Sequence, residues 1–184
     1  AAQGQTASLT EGFNRLISLL KAPVEKFEGI PLCVMGDSIL ALFLSRTSPS
    51  SSQQEEEMYR QLIDRALRSA LEIIQALKEF PTLSGNGALK LSVGVDWGEV
   101  SLGLLDGTDG FLVLGECACT AHRLSSLARD NEVVITNLVD EADLQFVQEL
   151  IAPYGFRMFA QKVEVKGKKG KVLRILEEGK EEPA

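Results

Sequence analysis

Lys26-Phe27-Glu28-Gly29-Ile30-Pro31-Leu32-Cys33-Val34-Met35-Gly36-Asp37-Ser38-Ile39-Leu40-Ala41-Leu42-Phe43 is the stretch on which the reading of this chain turns. Two short apolar runs, Pro31 to Val34 and Ile39 to Leu44, flank Gly36-Asp37-Ser38. That spacing predicts two strands joined by a tight turn with one acidic residue at its tip. A carboxylate placed there can be reached by a cation. It can equally bond its own turn backbone, which aspartate does readily.

On the N-terminal side, Ser8-Leu9-Thr10-Glu11 reads as a capping box opening a helix, with Phe13, Leu16, Ile17 and Leu20 on one stripe. Pro23 is expected to stop that helix, and a second apolar pair, Val24 and Phe27, continues toward a turn at Gly29. On the C-terminal side, polar Ser45 to Gln54 reads as a loop. Glu55, Glu56 and Glu57 then suit a helix N-terminus. The stripe Met58, Leu62, Ala66, Leu67, Ala70, Leu71, Ile74 and Leu77 predicts a long amphipathic helix ending near Phe80-Pro81.

Leu89, Leu91, Val93 and Val95 alternate as a half-buried strand does. Val100 to Leu105 and Phe111 to Leu114 predict a hairpin turning through Asp106-Gly107-Thr108-Asp109-Gly110. A helix over Ala118 to Ala128, a strand over Glu132 to Thr136 and a short helix over Asn137 to Gln145 follow. A last hairpin, Phe156 to Val165 with Val172 to Leu176, brackets Lys166-Gly167-Lys168-Lys169-Gly170. Helices alternating with antiparallel hairpins predict an α+β protein, one sheet with helices packed on a face.

The bulk numbers narrow the function. With 184 residues, 45% hydrophobic and 24% charged, the chain suits one well-cored domain, expected over residues 1–176 with an acidic flexible tail over 177–184. No apolar run approaches the roughly 20 residues that span a bilayer, and no signal peptide opens the chain. Ala1 in place of methionine predicts a segment excised from a longer protein. The net charge is −7, and Lys166, Lys168, Lys169 and Lys171 are interrupted by glycines, so they read as a solvated turn rather than a nucleic-acid footprint. Three cysteines, an odd number, argue against a disulfide framework and predict a reducing, cytoplasmic setting. Cys117, Cys119 and His122 offer too few ligands for zinc, and the cysteines read as small buried thiols.

Several segments, in order, resemble the catalytic domain of class III adenylyl and guanylyl cyclases. The hairpin around Gly36-Asp37, with Ala41 and Phe43 beyond it, is similar to that family's metal-binding hairpin. Leu91-Ser92-Val93-Gly94-Val95 followed by Gly98-Glu99-Val100 is similar to its next strand and turn. Phe111-Leu112-Val113-Leu114-Gly115 leading to Ala121 and Arg123-Leu124 resembles the segment holding its nucleotide-binding residues, and Lys166-Gly167 its near-terminal Lys-Gly. The resemblance runs over about residues 8 to 176.

It implies a ferredoxin-like βαββαβ sheet with flanking helices, working as a dimer of homology domains, either a homodimer or a tandem or heterodimeric pair. It also implies Mg²⁺ or Mn²⁺ held by two aspartates, and ATP or GTP as substrate. Asp37 stands at the second metal aspartate, while the strand that carries the first is missing before Ser8. Either a segment was cut off upstream or the site is incomplete, and the first is expected, since a sheet without its central strand would expose core. Cys33 and Leu112 stand at the base-reading positions and Cys119 at the ribose-orienting one, where none can make strong polar hydrogen bonds. Arg123 matches the arginine that grips the phosphates, though a solvated helix arginine is the competing reading. The combination resembles the metal-donating half of a paired cyclase, closest to the first catalytic domain of soluble, bicarbonate-responsive adenylyl cyclases. The alternative is a catalytically silent homology module acting in dimerisation or regulation.

Overall fold

The computed structural model describes residues 2–80, 89–104, 111–136, 141–165 and 168–180. The chain divides into two compact units, Ala1–Lys90 and Leu91–Ala184.

In the first unit, helix α1 (Ala2–Lys26) leads to strands β1 (Ile30–Met35) and β2 (Ser38–Leu42), and helix α2 (Ser52–Glu79) follows. Leu16, Leu20 and Val24 of α1 are buried at i, i+4 spacing. Ile63, Leu67, Ala70, Leu71, Ile74 and Leu77 form the buried stripe of α2, and the two helices pack together. Ser51 caps α2 by accepting the Gln54 N–H.

Two helix expectations are corrected here. Residues 2–7 are already helical, so Ser8 is not the cap of α1. Pro23 lies inside α1 instead of ending it. It forfeits one backbone hydrogen bond in the last turn, but Val24 extends the buried stripe one more turn and offsets that loss. The helix closes on a Schellman motif: Gly29 N–H reaches Val24 O at 2.8 Å and Glu28 N–H reaches Glu25 O at 3.0 Å. Glu28 sits at the left-handed position of that motif with φ 58°.

The second unit carries β3 (Ser92–Val95), β4 (Ser101–Leu104), β5 (Phe111–Leu114), α3 (Glu116–Leu127), β6 (Glu132–Thr136), α4 (Glu141–Ile151), a 3₁₀ turn (Ala152–Tyr154), β7 (Phe156–Val165) and β8 (Lys168–Glu177). Four strands make a mixed sheet ordered β3-β6-β8-β7, with β3 parallel to β6. The middle strand β6 is buried on both faces through Val133, Val134 and Ile135. Leu124 of α3 packs with Val134 and Val172, beside Ala128 and Val163. Glu132 and Arg174, also buried, join β6 to β8 by a two-point ion pair.

The α+β class with flanking helices holds. The single expected sheet does not: among the described residues the strands form three sheets, β1-β2, β4-β5 and the four-stranded β3-β6-β8-β7. Strand β3 is shorter than the alternation from Leu89 predicts, because its partner β6 begins only at Glu132. Asn131, at φ 57°, closes that end by binding Leu91 through both its backbone N–H and its side-chain oxygen. Helix α4 runs from Glu141 to Ile151, beyond the expected end at Gln145, since Val147, Leu150 and Ile151 continue the buried stripe. Residues 137–140, at the start of that expected helix, lie outside the described residues, as do the turns at 105–110 and 166–167. The tail expected from Glu177 is hydrogen-bonded as far as Lys180, whose carbonyl accepts from Arg157 and whose ammonium donates to Asp130 O.

Candidate active site

The β1-β2 hairpin places Asp37. Met35 pairs with Ser38 across a two-residue loop. Gly36 takes φ 61° while Asp37 keeps a negative φ, the pattern of a II′ turn, which matches the right-handed twist of its strands. Asp37 is exposed, and its carboxylate makes no hydrogen bond among the described residues. Cys33, on the same hairpin opposite Leu40, is exposed. A bulge between Pro31 and Cys33 shifts the register just before it.

The second unit holds the other three expected positions. Leu112 lies on β5 opposite Gly103 and is exposed. Cys119 and Arg123 lie on α3 at i, i+4 spacing, hence on one helix face, and both are exposed. Arg123 makes no ion pair among the described residues. The structure therefore groups Asp37 with Cys33 on one hairpin, and Cys119 with Arg123 on one helix.

The placement of α3 depends on Gly94. A Cβ there would overlap the Ala121 carbonyl oxygen and the Ser125 nitrogen and lie 2.9 Å from the Leu124 carbonyl carbon. Only glycine lets β3 come this close to the helix that carries Arg123. At the other end of the segment, a Cβ on Gly115 would come within 2.8 Å of Glu99 O, so the chain enters α3 pressed against the loop after β3.

Asp96 was not singled out from the sequence. The parallel register that pairs Val95 with Ile135 sets Asp96 beside Thr136, whose hydroxyl donates to its carboxylate. Asp96 also acts on Cys117. Burial pushes the Cys117 thiol above its ordinary range, and the negative charges of Asp96 and Cys119 act in the same direction, against the backbone N–H groups of Ala118 and Cys117. Of the two thiols expected to be buried, Cys117 is and Cys119 is not, because two residues turn a helix about 200° to its other face. His122 is exposed.

A hard divalent cation takes oxygen ligands, and Mg²⁺ is held by one or two carboxylates completed by water and substrate phosphates rather than by a protein cage. The open carboxylate of Asp37 fits that donor set as one ligand. Among the described residues no group of three or more acidic, histidine or cysteine side chains is arranged to hold a metal.

The family described as the adenylate and guanylate cyclase catalytic domain matches residues 6–178. The chain belongs to that family. Solved cyclase domains share its fold. The guanylate cyclase domain of RhGC from Catenaria anguillulae, in complex with GTP, is 22% identical with a TM-score of 0.70, over 94% of this chain and 85% of that one. The non-canonical dimeric guanylyl cyclase domain of the RhoGC fusion protein from Blastocladiella emersonii is 20% identical with a TM-score of 0.63, over 94% and 85%. The adenylyl cyclase CyaB from P. aeruginosa is 14% identical with a TM-score of 0.61, over 91% and 82%. Among curated proteins, none matches the sequence of this chain. No helix among the described residues is long and apolar enough to cross a membrane.

Proposed function

We propose that this cyclase domain is the metal-donating half of a nucleotidyl cyclase, forming cyclic AMP and pyrophosphate from ATP with a complementary domain. The observation that carries the reading is the division of labour among its positions. The Asp37 carboxylate is open at a hairpin tip, while Cys33, Leu112 and Cys119 offer no strong donor or acceptor to a base or ribose. A chain that keeps the metal ligand and lacks the base readers needs a partner that reads the base.

In this reading Asp37 supplies oxygen ligation for Mg²⁺ or Mn²⁺. Bound there, the cation would make the ribose 3′-hydroxyl a better nucleophile and stabilise charge on the phosphates. Arg123 approaches the phosphates as a guanidinium fork, with no competing ion pair among the described residues to give up. ATP is preferred over GTP on the resemblance to soluble adenylyl cyclases.

The β4-β5 hairpin supports pairing with a second homology domain, homologous or identical. Leu102 and Leu104 share one of its faces, Leu112 and Leu114 the other, and all four are exposed. A two-stranded hairpin apolar on both faces gains most of its stability from something that covers it.

The same three altered positions favour a second reading, a catalytically silent module that dimerises or binds nucleotide as a regulator. Cyclase assays of the full-length protein with Mn²⁺-ATP and Mn²⁺-GTP separate the two. Product that disappears in Asp37→Asn supports the catalytic half, and no product from either nucleotide supports the silent module.

A further inference from the structure

Arg65 projects from α2 and holds both ends of the hairpin whose tip carries Asp37. Its Nη1 donates to Glu28 Oε2 at 3.2 Å, just before β1, and its Nη2 donates to Leu44 O at 3.0 Å, just after β2. Arg46, beyond β2, reaches the same Glu28 oxygen at 3.7 Å. Gly29 sits so close beneath Phe43 that a Cβ would lie 2.6 Å from the ring, with Val24 at 2.8 Å. The hairpin root is thus closed at three levels: helix end, ring contact and guanidinium fork.

Stability alone does not account for the fork. Arg65 is 21% exposed and Glu28 57%, a pairing that contributes little to folding in water. Glu28 moreover holds a left-handed conformation that glycine or asparagine would take at lower cost. A planar fork with two donors is suited to fixing an angle, which a single ammonium cannot do.

We infer that Arg65 is a positioning residue that sets the tilt of the β1-β2 hairpin on α2 and so the place of the Asp37 carboxylate. The inference rests on the reading of Asp37 as a metal ligand. Six residues of β1 span ~17 Å from root to tip. A tilt of about 5° at the root therefore moves the tip by ~1.5 Å. A misplacement of about 1 Å in a reacting constellation can cost roughly 100-fold.

The test uses the full-length protein and Mn²⁺, whose binding in the presence of ATP is followed by electron paramagnetic resonance, beside steady-state kinetics and thermal unfolding. Arg65→Met removes both donors and keeps the aliphatic stem. Glu28→Asn removes the carboxylate at a position whose backbone suits asparagine, so folding is preserved. Both variants are expected to weaken Mn²⁺ binding by about tenfold or more. They should lower kcat while the KM for ATP changes less than threefold, with Arg65→Lys recovering only part. Asp37→Asn, run in parallel, is expected to abolish the same Mn²⁺ signal. Loss of the signal in Asp37→Asn with wild-type binding in both Arg65→Met and Glu28→Asn would overturn the positioning role alone. An unchanged signal in Asp37→Asn would overturn the metal reading and the positioning role with it.

Discussion

Arg174→Met should be among the most damaging single substitutions in the second unit. Glu132 and Arg174 are 2% and 6% exposed, and Arg174 Nε and Nη2 each donate to a Glu132 carboxylate oxygen at 2.6 Å. The same guanidinium donates to Gln161 Oε1 at 2.9 Å and to the Leu127 carbonyl at 3.3 Å, at the last residue of α3. Glu132 in turn accepts the Arg129 N–H at 2.6 Å. Removing the arginine leaves a buried carboxylate at the start of β6 with one backbone donor. Breaking a buried pair from one side costs about 3–5 kcal/mol. For a chain of this length that lowers the unfolding midpoint by about 6–20 °C.

The double variant Glu132→Leu/Arg174→Met removes both charges and should recover more than half of the loss, because the penalty of the single variant is mostly the stranded charge. Urea unfolding followed by far-ultraviolet circular dichroism measures both, and the single tryptophan, Trp97, gives an independent probe. If Arg174→Met unfolds within about 1 kcal/mol of the wild type, or the double variant is no better than the single one, this account of the pair is wrong.

Three further outcomes follow from the packing and the thiols. Gly94→Ala should lose at least about 2 kcal/mol, since its methyl group meets the α3 backbone rather than a movable side chain, and a melting curve close to wild type would contradict that contact. With a thiol reagent at neutral pH, Cys33 and Cys119 should react quickly and Cys117 slowly, as counted from labelled peptides by mass spectrometry. Burial holds the Cys117 thiol protonated in the fold, so its contribution to stability is complete below the unfolded thiol range and is lost as the pH rises toward its raised folded value. Cys117→Ala should flatten that alkaline part of the stability profile, and an unchanged alkaline slope would count against it.

The legible parts of the chain were those written locally. The hairpin at Gly36-Asp37 announces itself because glycine supplies the positive φ and the flanking runs are short and apolar. Helix α2 is visible in its 3.6-residue stripe. The start of α1 was not, since Ser8 and Glu11 look the same at a helix start as within a helix, and the weight of Val24 against Pro23 depends on tertiary burial. The division of the described strands into three sheets was not legible because partner choice between strands is non-local. Asp96 with Thr136, and Glu132 with Arg174, stand 40 and 42 residues apart, and each reads alone as an ordinary strand-end or solvated residue. Arg65 was hidden for a similar reason: an arginine on the polar side of an amphipathic helix carries no sign that it grips a distant carboxylate and a distant carbonyl. Family membership was legible because several weak matches occur in order, and the match over residues 6–178 bears it out.

The most direct test of the central claim is the rate of cyclic AMP formation from Mn²⁺-ATP by the full-length protein, wild type beside Asp37→Asn. The account predicts measurable turnover in the wild type and a loss of at least ~100-fold in the variant, more than an outer-shell group would cost, with no change in the unfolding midpoint. Turnover in Asp37→Asn equal to that of the wild type would contradict it.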